Sequence, residues 1–268
     1  MAGRLVVCPT PIGNLEDVTL RVLHVLAEAD AIACEDTRRT RKLLGRHGIS
    51  GPSLVSYHGH NERRRARELV ARMRRGDVVA LVSDAGTPGL SDPGAVVIGA
   101  CLEAGVPVEV LPGPSAAVTA LVASGLPAER WRFTGFLPRR EGELRRALEA
   151  GASETLVAYE SPRRLGATLR VLAELDPARP AAVCRELTKL HEEVVRGRAA
   201  ELAERFAEAT RGEVVLVVGP AAGEEPKADP VAAREAVERL VEAGAKRRAA
   251  AAVVASLTGV PANKLYGR

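Results

Sequence analysis

Five consecutive apolar residues, Val78, Val79, Ala80, Leu81 and Val82, run directly into S-D-A-G-T-P-G-L-S-D-P-G over residues 83–94, and no other stretch constrains the chain as much. An uninterrupted apolar run of this length reads as a strand buried on both faces, the kind found in parallel sheets covered by helices. The glycines and prolines that follow end it in a shaped loop. Ligands in open α/β sheets sit outside the carboxyl ends of the strands. Ser83, Asp84, Gly86, Thr87, Ser91 and Asp92 are therefore expected to line a crevice, with Asp92 as a helix cap before Pro93.

The same grammar repeats along the chain, which makes it α/β. Strand-like runs at 5–8, 31–35, 54–57 and 108–111 precede Gly125, and others at 131–136, 155–159, 181–184, 193–198 and 214–218 follow it. The expected organisation is an N-terminal α/β domain over 1–124, a second α/β domain over 125–220, a linker over 221–230 rich in Ala, Gly, Glu and Pro, and a small helix-turn-helix-like segment over 231–268. The last helix of that segment has about one turn before the chain ends, too short to read DNA.

Chemistry concentrates in the loops. The first strand meets P-T-P-I-G-N at 9–14; two prolines stand where a dinucleotide-binding loop needs glycines, so this loop suits a substrate mouth better than a pyrophosphate. The second strand ends in E-D-T-R-R-T-R at 35–41, where Glu35 and Asp36 either handle a proton or, in the simpler reading, cap and pair a basic helix. His58 and His60 lack a third ligand nearby and are not read as a metal site. Asn61 is the expected cap of the next helix. Ser115 is expected to cap an apolar helix at 116–123, closed by Gly125 and buried on all sides.

The overall charge of +4 hides an asymmetry: between Thr37 and Arg75 twelve Lys or Arg face only Glu62 and Glu68. That stretch carries +10 and points to a polyanionic partner, nucleic acid before membrane. The four cysteines, Cys8, Cys34, Cys101 and Cys184, form no metal-ligand or paired spacing and read as buried thiols. No run is long enough to span a bilayer and no secretory pattern opens the chain, so the expected location is cytoplasmic.

Taken in order, C-P-T-P-I-G-N-L-E-D-V-T-L-R, A-C-E-D-T-R-R-T, H-G-H-N-E, L-V-S-D-A-G-T-P-G-L-S-D-P-G, L-P-G-P-S-A-A-V-T-A-L, G-F-L-P-R, Y-E-S-P-R-R-L and R-E-L-T-K-L-H-E-E resemble the ribosomal RNA small subunit methyltransferase I family of the tetrapyrrole methylase superfamily. The resemblance implies two α/β domains with S-adenosylmethionine between them. It also implies a homodimer that methylates the ribose 2′-hydroxyl of a cytidine in the decoding region of 16S rRNA, naked or within the 30S subunit. Carried over by motif, the cofactor would contact Ser83, Asp84, Ala85, Gly86, Thr87, Ser115, Ala116, Tyr159 and Glu160, with Leu187 and residues 212–214 as weaker carry-overs. No metal is implied.

In-line methyl transfer needs positioning and a base for the hydroxyl proton, for which Glu35, Asp36, Glu160 and Lys189 are the candidates. Glu35 and Asp36 are favoured, and Lys189 qualifies only if burial lowers its pKa. Arg38, Arg39, Arg41 and Lys42 are expected on rRNA phosphates. Two other enzyme classes fit less well. A small-molecule tetrapyrrole methylase has no use for the basic arm, and a Mg²⁺-dependent phosphohydrolase would need Asp36, Asp84 and Asp92 as ligands.

Overall fold

The computed structural model describes residues 3–150, 152–221 and 230–265. The chain divides into two compact units, Met1–Pro220 and Ala221–Arg268. The expected linker lies outside the described residues apart from its two ends.

The first half of the larger unit alternates strand and helix: β1 (Arg4–Val7), α1 (Leu20–Glu28), β2 (Ala31–Cys34), α2 (Thr37–Arg46), β3 (Ser53–Ser56), α3 (Glu62–Arg74), β4 (Val78–Val82), α4 (Ala95–Glu103) and β5 (Val108–Val110). The strands form one all-parallel sheet in the order β3-β2-β4-β1-β5. Because successive side chains point to opposite faces, Leu5, Val7, Val79 and Leu81 meet α3 and α4, while Val6, Ala80 and Val82 meet α1 and α2. Parallel strands put all their carboxyl ends on one edge. The loops after β1, β2, β4 and β5 therefore converge there.

The second half carries α5 (Ala116–Ser124), β6 (Trp131–Phe136), α6 (Glu141–Glu149), β7 (Thr155–Glu160), α7 (Leu165–Leu175), β8 (Pro180–Arg185), β9 (Glu193–Arg198), α8 (Ala199–Arg205) and β10 (Val214–Val218). Its sheet, β6-β7-β10-β8-β9, is parallel only between β6 and β7. Helices α6, α7 and α8 cover one face. The other face takes α5, whose Ala117, Ala120 and Leu121 pack with Val157, Ala182, Cys184 and Val215.

Helix α5 starts as expected, with the Ser115 hydroxyl accepting from the Val118 amide, and Gly125 closes it at φ 69°. It is not buried on all sides, however: Val118 and Val122 are 48% and 74% exposed. The amphipathic α6, with Leu144 and Leu148 buried, has no counterpart in the sequence expectations. Asn61 does not cap α3; its side chain accepts from the His58 amide and donates to the Ser56 carbonyl, closing the turn before the helix. All four cysteines are buried free thiols.

The smaller unit holds α9 (Pro230–Glu242), α10 (Arg247–Thr258) and α11 (Ala262–Leu265). Gly259 turns the chain at φ 68°, and Val237, Ala251, Val254, Val260 and Leu265 form its core. No helix among the described residues is long and apolar enough to cross a membrane.

Candidate functional site

The loop after β4 is held by partners from elsewhere in the chain. The Asp84 carboxylate accepts from the Asp36 amide at 2.9 Å and lies 3.5 Å from Arg39 Nε, joining the carboxyl ends of β4 and β2. Gly86 exchanges two backbone hydrogen bonds with Thr10, 2.8 and 2.9 Å, which fixes the P-T-P-I-G-N loop against it. At Gly94, φ is 154° and an added Cβ would lie 2.8 Å from the Gly89 nitrogen, so the loop folds back on itself only with glycine there. Gly94 has no side chain to cap α4; the buried Tyr57 hydroxyl accepts from the Val97 amide instead, at 3.2 Å. Asp92 is therefore not the helix cap expected of it, because α4 begins three residues later at Ala95.

Between the two sheets lies a cavity of about 410 Å³. Of the positions nominated for a cofactor, Ala85, Gly86 and Thr87 line it from the β4 loop and Ser115 and Ala116 from the N-terminus of α5. Tyr159, Glu160 and Leu187 line it from the second half. Ser83 and Asp84 do not: they border a second cavity of about 270 Å³ instead. Sequence reasoning missed Ile12 and Phe136, which line the larger cavity. Phe136 belongs to G-F-L-P-R, and as a 63% exposed aromatic at the end of an edge strand it meets the Tyr159 ring at 5.6 Å. Asp92, expected at the crevice, and Glu213, within the weaker carry-over at 212–214, line it as well.

The four proposed proton acceptors separate by their surroundings. Glu160 is fully buried and saturated: its carboxylate accepts from Ser161 N at 2.5 Å, Thr168 Oγ1 at 2.6 Å and Arg164 Nε at 2.9 Å, and Arg164 in turn donates to the Leu137 and Pro138 carbonyls. Those bonds make it a structural anchor at the start of α7 rather than a base. Lys189 does not meet its condition either. Burial lowers its pKa, but ion pairs at 2.9 Å with Glu186 and Glu213 outweigh this and hold it above the ordinary lysine value, so it stays protonated. Asp36 caps α2, accepting from the Arg38 amide at 2.8 Å, and the Arg38 guanidinium helps pull its carboxyl down to about 2. A carboxylate that weakly basic is a poor proton acceptor. Glu35 differs: burial first, then the Asp84 carboxylate, raise its pKa.

The most displaced carboxyl is one that sequence reasoning had set aside. Burial, followed by the charge of Glu35, pushes Asp92 up to about 6, against a hydrogen bond from Ser83 that lowers it.

Of the four basic residues nominated on α2, Arg39 and Lys42 border the second cavity, whereas Arg38 is drawn back onto Asp36. Arg38 and Arg41 occupy another face of the helix, as the i, i+3 spacing of the two pairs requires. The second cavity shares Ile12, Ala85 and Glu213 with the first. Its far wall is a taut loop: Glu186 and Thr188 hold positive φ of 48° and 66°, and the Thr188 hydroxyl accepts from the Asn14 amide at 3.0 Å. Positive φ at non-glycine residues costs roughly 1–3 kcal/mol each and persists where surrounding structure over-determines it. Among the described residues no group of three or more His, Cys, Asp and Glu side chains is placed to hold a metal ion, so the phosphohydrolase alternative has no ligand set there.

Residues 4–203 match the family model described as Tetrapyrrole (Corrin/Porphyrin) Methylases. A protein of Mycobacterium tuberculosis named ribosomal RNA small subunit methyltransferase I is 47% identical over 271 residues, covering 99% of this chain and 94% of the relative. A protein of the same name from Micromonospora olivasterospora is 45% identical, covering 99% and 86%. Among solved structures, a uroporphyrin-III C-methyltransferase from Thermus thermophilus complexed with S-adenyl homocysteine is 25% identical with a TM-score of 0.56, over 81% of this chain and 97% of that one. A parallel sheet with its loops gathered at one edge, a second mixed sheet facing it and a cavity between them are thus the local form of a shared architecture, and the chain belongs to the tetrapyrrole methylase family, in its ribosomal RNA small subunit methyltransferase I branch.

Proposed function

We propose that this chain transfers the methyl group of S-adenosylmethionine to the ribose 2′-hydroxyl of a cytidine in the decoding region of 16S rRNA. Near-full-length identity of 45–47% to proteins named ribosomal RNA small subunit methyltransferase I carries the rRNA methyltransferase part of the reading. The cavity supports it independently. Its volume of about 410 Å³ is in the range of small-molecule sites, its Phe136 and Tyr159 rings suit a flat heterocycle, and Asp92 and Glu213 suit a cationic centre. The related structure that carries S-adenyl homocysteine agrees with the same cofactor class.

Bound there, S-adenosylmethionine supplies an electrophilic methyl on a sulfonium. Ala85, Gly86, Thr87, Ser115 and Ala116 would hold it from one side of the cavity, and Tyr159, Glu160 and Leu187 from the other. Leu187 and Val215, both buried, help keep water out. In-line alignment supplies much of the rate. Asp92, whose carboxyl is pushed up to about 6 and is therefore ionised at neutral pH yet more basic than an ordinary aspartate, takes the 2′-hydroxyl proton onto its carboxylate oxygen. Glu35 is the second choice, and Asp36 serves as the cap of α2.

Arg38, Arg39, Arg41 and Lys42 bind rRNA phosphates and position the substrate without reading its sequence. The 30S subunit is the proposed partner. A homodimer is proposed with it, because the exposed Val118 and Val122 lie one turn apart on α5 and offer an apolar contact. The proposed location is cytoplasmic, with the ribosome.

Calorimetry with S-adenosylmethionine, followed by mapping of 2′-O-methylation on 30S subunits from cells lacking the gene, tests the reading. Binding of the donor and methylation at a single cytidine are expected. Failure to bind S-adenosylmethionine overturns the reading, and donor binding with a tetrapyrrole as the methylated product moves it to the small-molecule branch.

A further inference from the structure

The smaller cavity has a use that the donor site does not absorb. It adjoins the donor cavity, the two sharing Ile12, Ala85 and Glu213 as lining residues, so those side chains border both spaces. Methyl transfer requires the reacting atoms about 3–3.5 Å apart, and an acceptor therefore has to occupy a space contiguous with the donor.

The charges in the smaller cavity are unevenly matched. Lys189 is held by Glu186 and Glu213, and Arg39 leans on Asp84, but Lys42 has no ion-pair partner among the described residues and is exposed. Arg39 and Lys42 sit three residues apart on one side of α2, 62% exposed in the case of the Arg39 side chain, and present two cations spaced along a helix face. The opposite wall is prearranged. The Thr188 hydroxyl holds the Asn14 amide, and an added Cβ at Gly13 would lie 2.5 Å from Lys189 Cγ, so the two loops close with no room between them. A cavity lined by Arg39 and Lys42, by the polar Thr10, Ser83 and Asp84, and by a wall shared with the donor cavity matches a ribose-phosphate unit.

Resting on the rRNA methyltransferase reading, we infer that the 270 Å³ cavity receives the ribose of the acceptor nucleotide, with Arg39 and Lys42 on its flanking phosphates and the 2′-hydroxyl turned to the wall shared with the donor cavity. The remaining α2 cations, Arg38 and Arg41, act outside the cavity. One nucleotide, drawn out of its neighbours' stack, is what the site takes.

The experiment separates this from general attraction to RNA. Steady-state methylation of 30S subunits lacking the modification is measured for Arg39→Ala, Lys42→Ala, Leu15→Trp and Arg170→Ala, with donor affinity by calorimetry and thermal unfolding for each. Leu15 lines the cavity, so tryptophan fills it without changing charge, and Arg170 is an exposed cation on α7. The two alanine variants at the cavity are expected to raise the KM for 30S about tenfold with donor affinity within twofold of wild type. Leu15→Trp is expected to lower kcat/KM for 30S at least tenfold at unchanged donor affinity, and Arg170→Ala to change neither. Cavity variants that shift the KM no more than Arg170→Ala does, or a stably folded Leu15→Trp that methylates at the wild-type rate, overturn the inference alone. A wild-type chain that binds the donor yet leaves 30S unmethylated overturns the underlying reading and this inference with it.

Discussion

Replacing Asp92 by asparagine separates catalysis from stability, because the two are expected to move in opposite directions. The carboxyl is pushed from its ordinary 3.8 up to about 6, by burial first and by the charge of Glu35 second. A raised carboxyl pKa means that the folded state favours the protonated form. The stability from this group is fully present below the unfolded pKa and is lost as pH rises through the folded one, between about pH 4 and pH 6. Converted at about 1.4 kcal/mol for each tenfold change, the displacement is worth at most about 3 kcal/mol at pH 7. Partial exposure and screening reduce this to about 1–2 kcal/mol. The asparagine side chain would carry no charge and keep an oxygen for the Ser83 hydroxyl. Thermal unfolding without donor is therefore expected to show Asp92→Asn a few degrees more stable than wild type at pH 7, with the difference vanishing near pH 4. Single-turnover methyl transfer at saturating donor is expected to fall about 10²–10⁴-fold, the usual contribution of a positioned base. The wild-type rate should decline below about pH 6, and the residual rate of the variant should not follow that profile. A variant with wild-type turnover refutes Asp92 as the proton acceptor; a melting difference that does not change with pH refutes the electrostatic account.

Glu160→Ala would leave Arg164 and Thr168 without their buried partner, and chemical unfolding should show a loss of about 3–5 kcal/mol. Asp36→Asn keeps a side chain able to cap α2, so methyl transfer should stay within about threefold of wild type; a drop of about a hundredfold would return Asp36 to the role of base. Binding of unmodified rRNA should weaken steeply with salt, and replacing Arg38, Arg39, Arg41 and Lys42 together by alanine should reduce the log–log slope by about 3, measured by filter binding between low and physiological salt. Gly94→Ala, forced against the Gly89 backbone, should weaken donor affinity more than it changes the melting temperature, by calorimetry and calorimetric unfolding in parallel.

Buried strands were readable because a strand covered on both faces needs an unbroken apolar run, as at 78–82 and 214–218; the expected strands at 131–136 and 193–198 also coincide with observed ones, although β6 and β9 are partly exposed edge strands with charged residues. Caps were readable where a side chain bonds its own neighbours, as Ser115 does. Asn61 closes the preceding turn instead of capping α3, because the same side chain satisfies a turn as easily as a helix. The apolar pattern of α5 predicts burial all round, but hydropathy does not say which neighbours cover a face, and Val118 and Val122 are exposed. The cofactor wall at 85–87 and 115–116 was legible because its chemistry lies in contiguous loops placed at strand ends.

By itself the sequence determined the α/β class, the strand-end loops, the basic stretch at 37–75 and, through its ordered motifs, the family. Each of these depends on residues close together in the chain, where periodicity, turn chemistry and local charge act. Only the tertiary structure decided which acid becomes the more basic one. Asp36 is held near 2 by Arg38 two residues away, a local effect, whereas Asp92 owes its basicity to burial first and then to the charge of Glu35, far from it in the sequence, with Asp84 and Glu213 adding to it. It was also the tertiary structure that set Lys189 against two carboxylates and moved Ser83 and Asp84 from the donor cavity to the one beside it. The physical reason is common to all of these: proton affinity and cavity shape are set by the dielectric and charges within a few ångströms in space, and folding alone determines what occupies that distance.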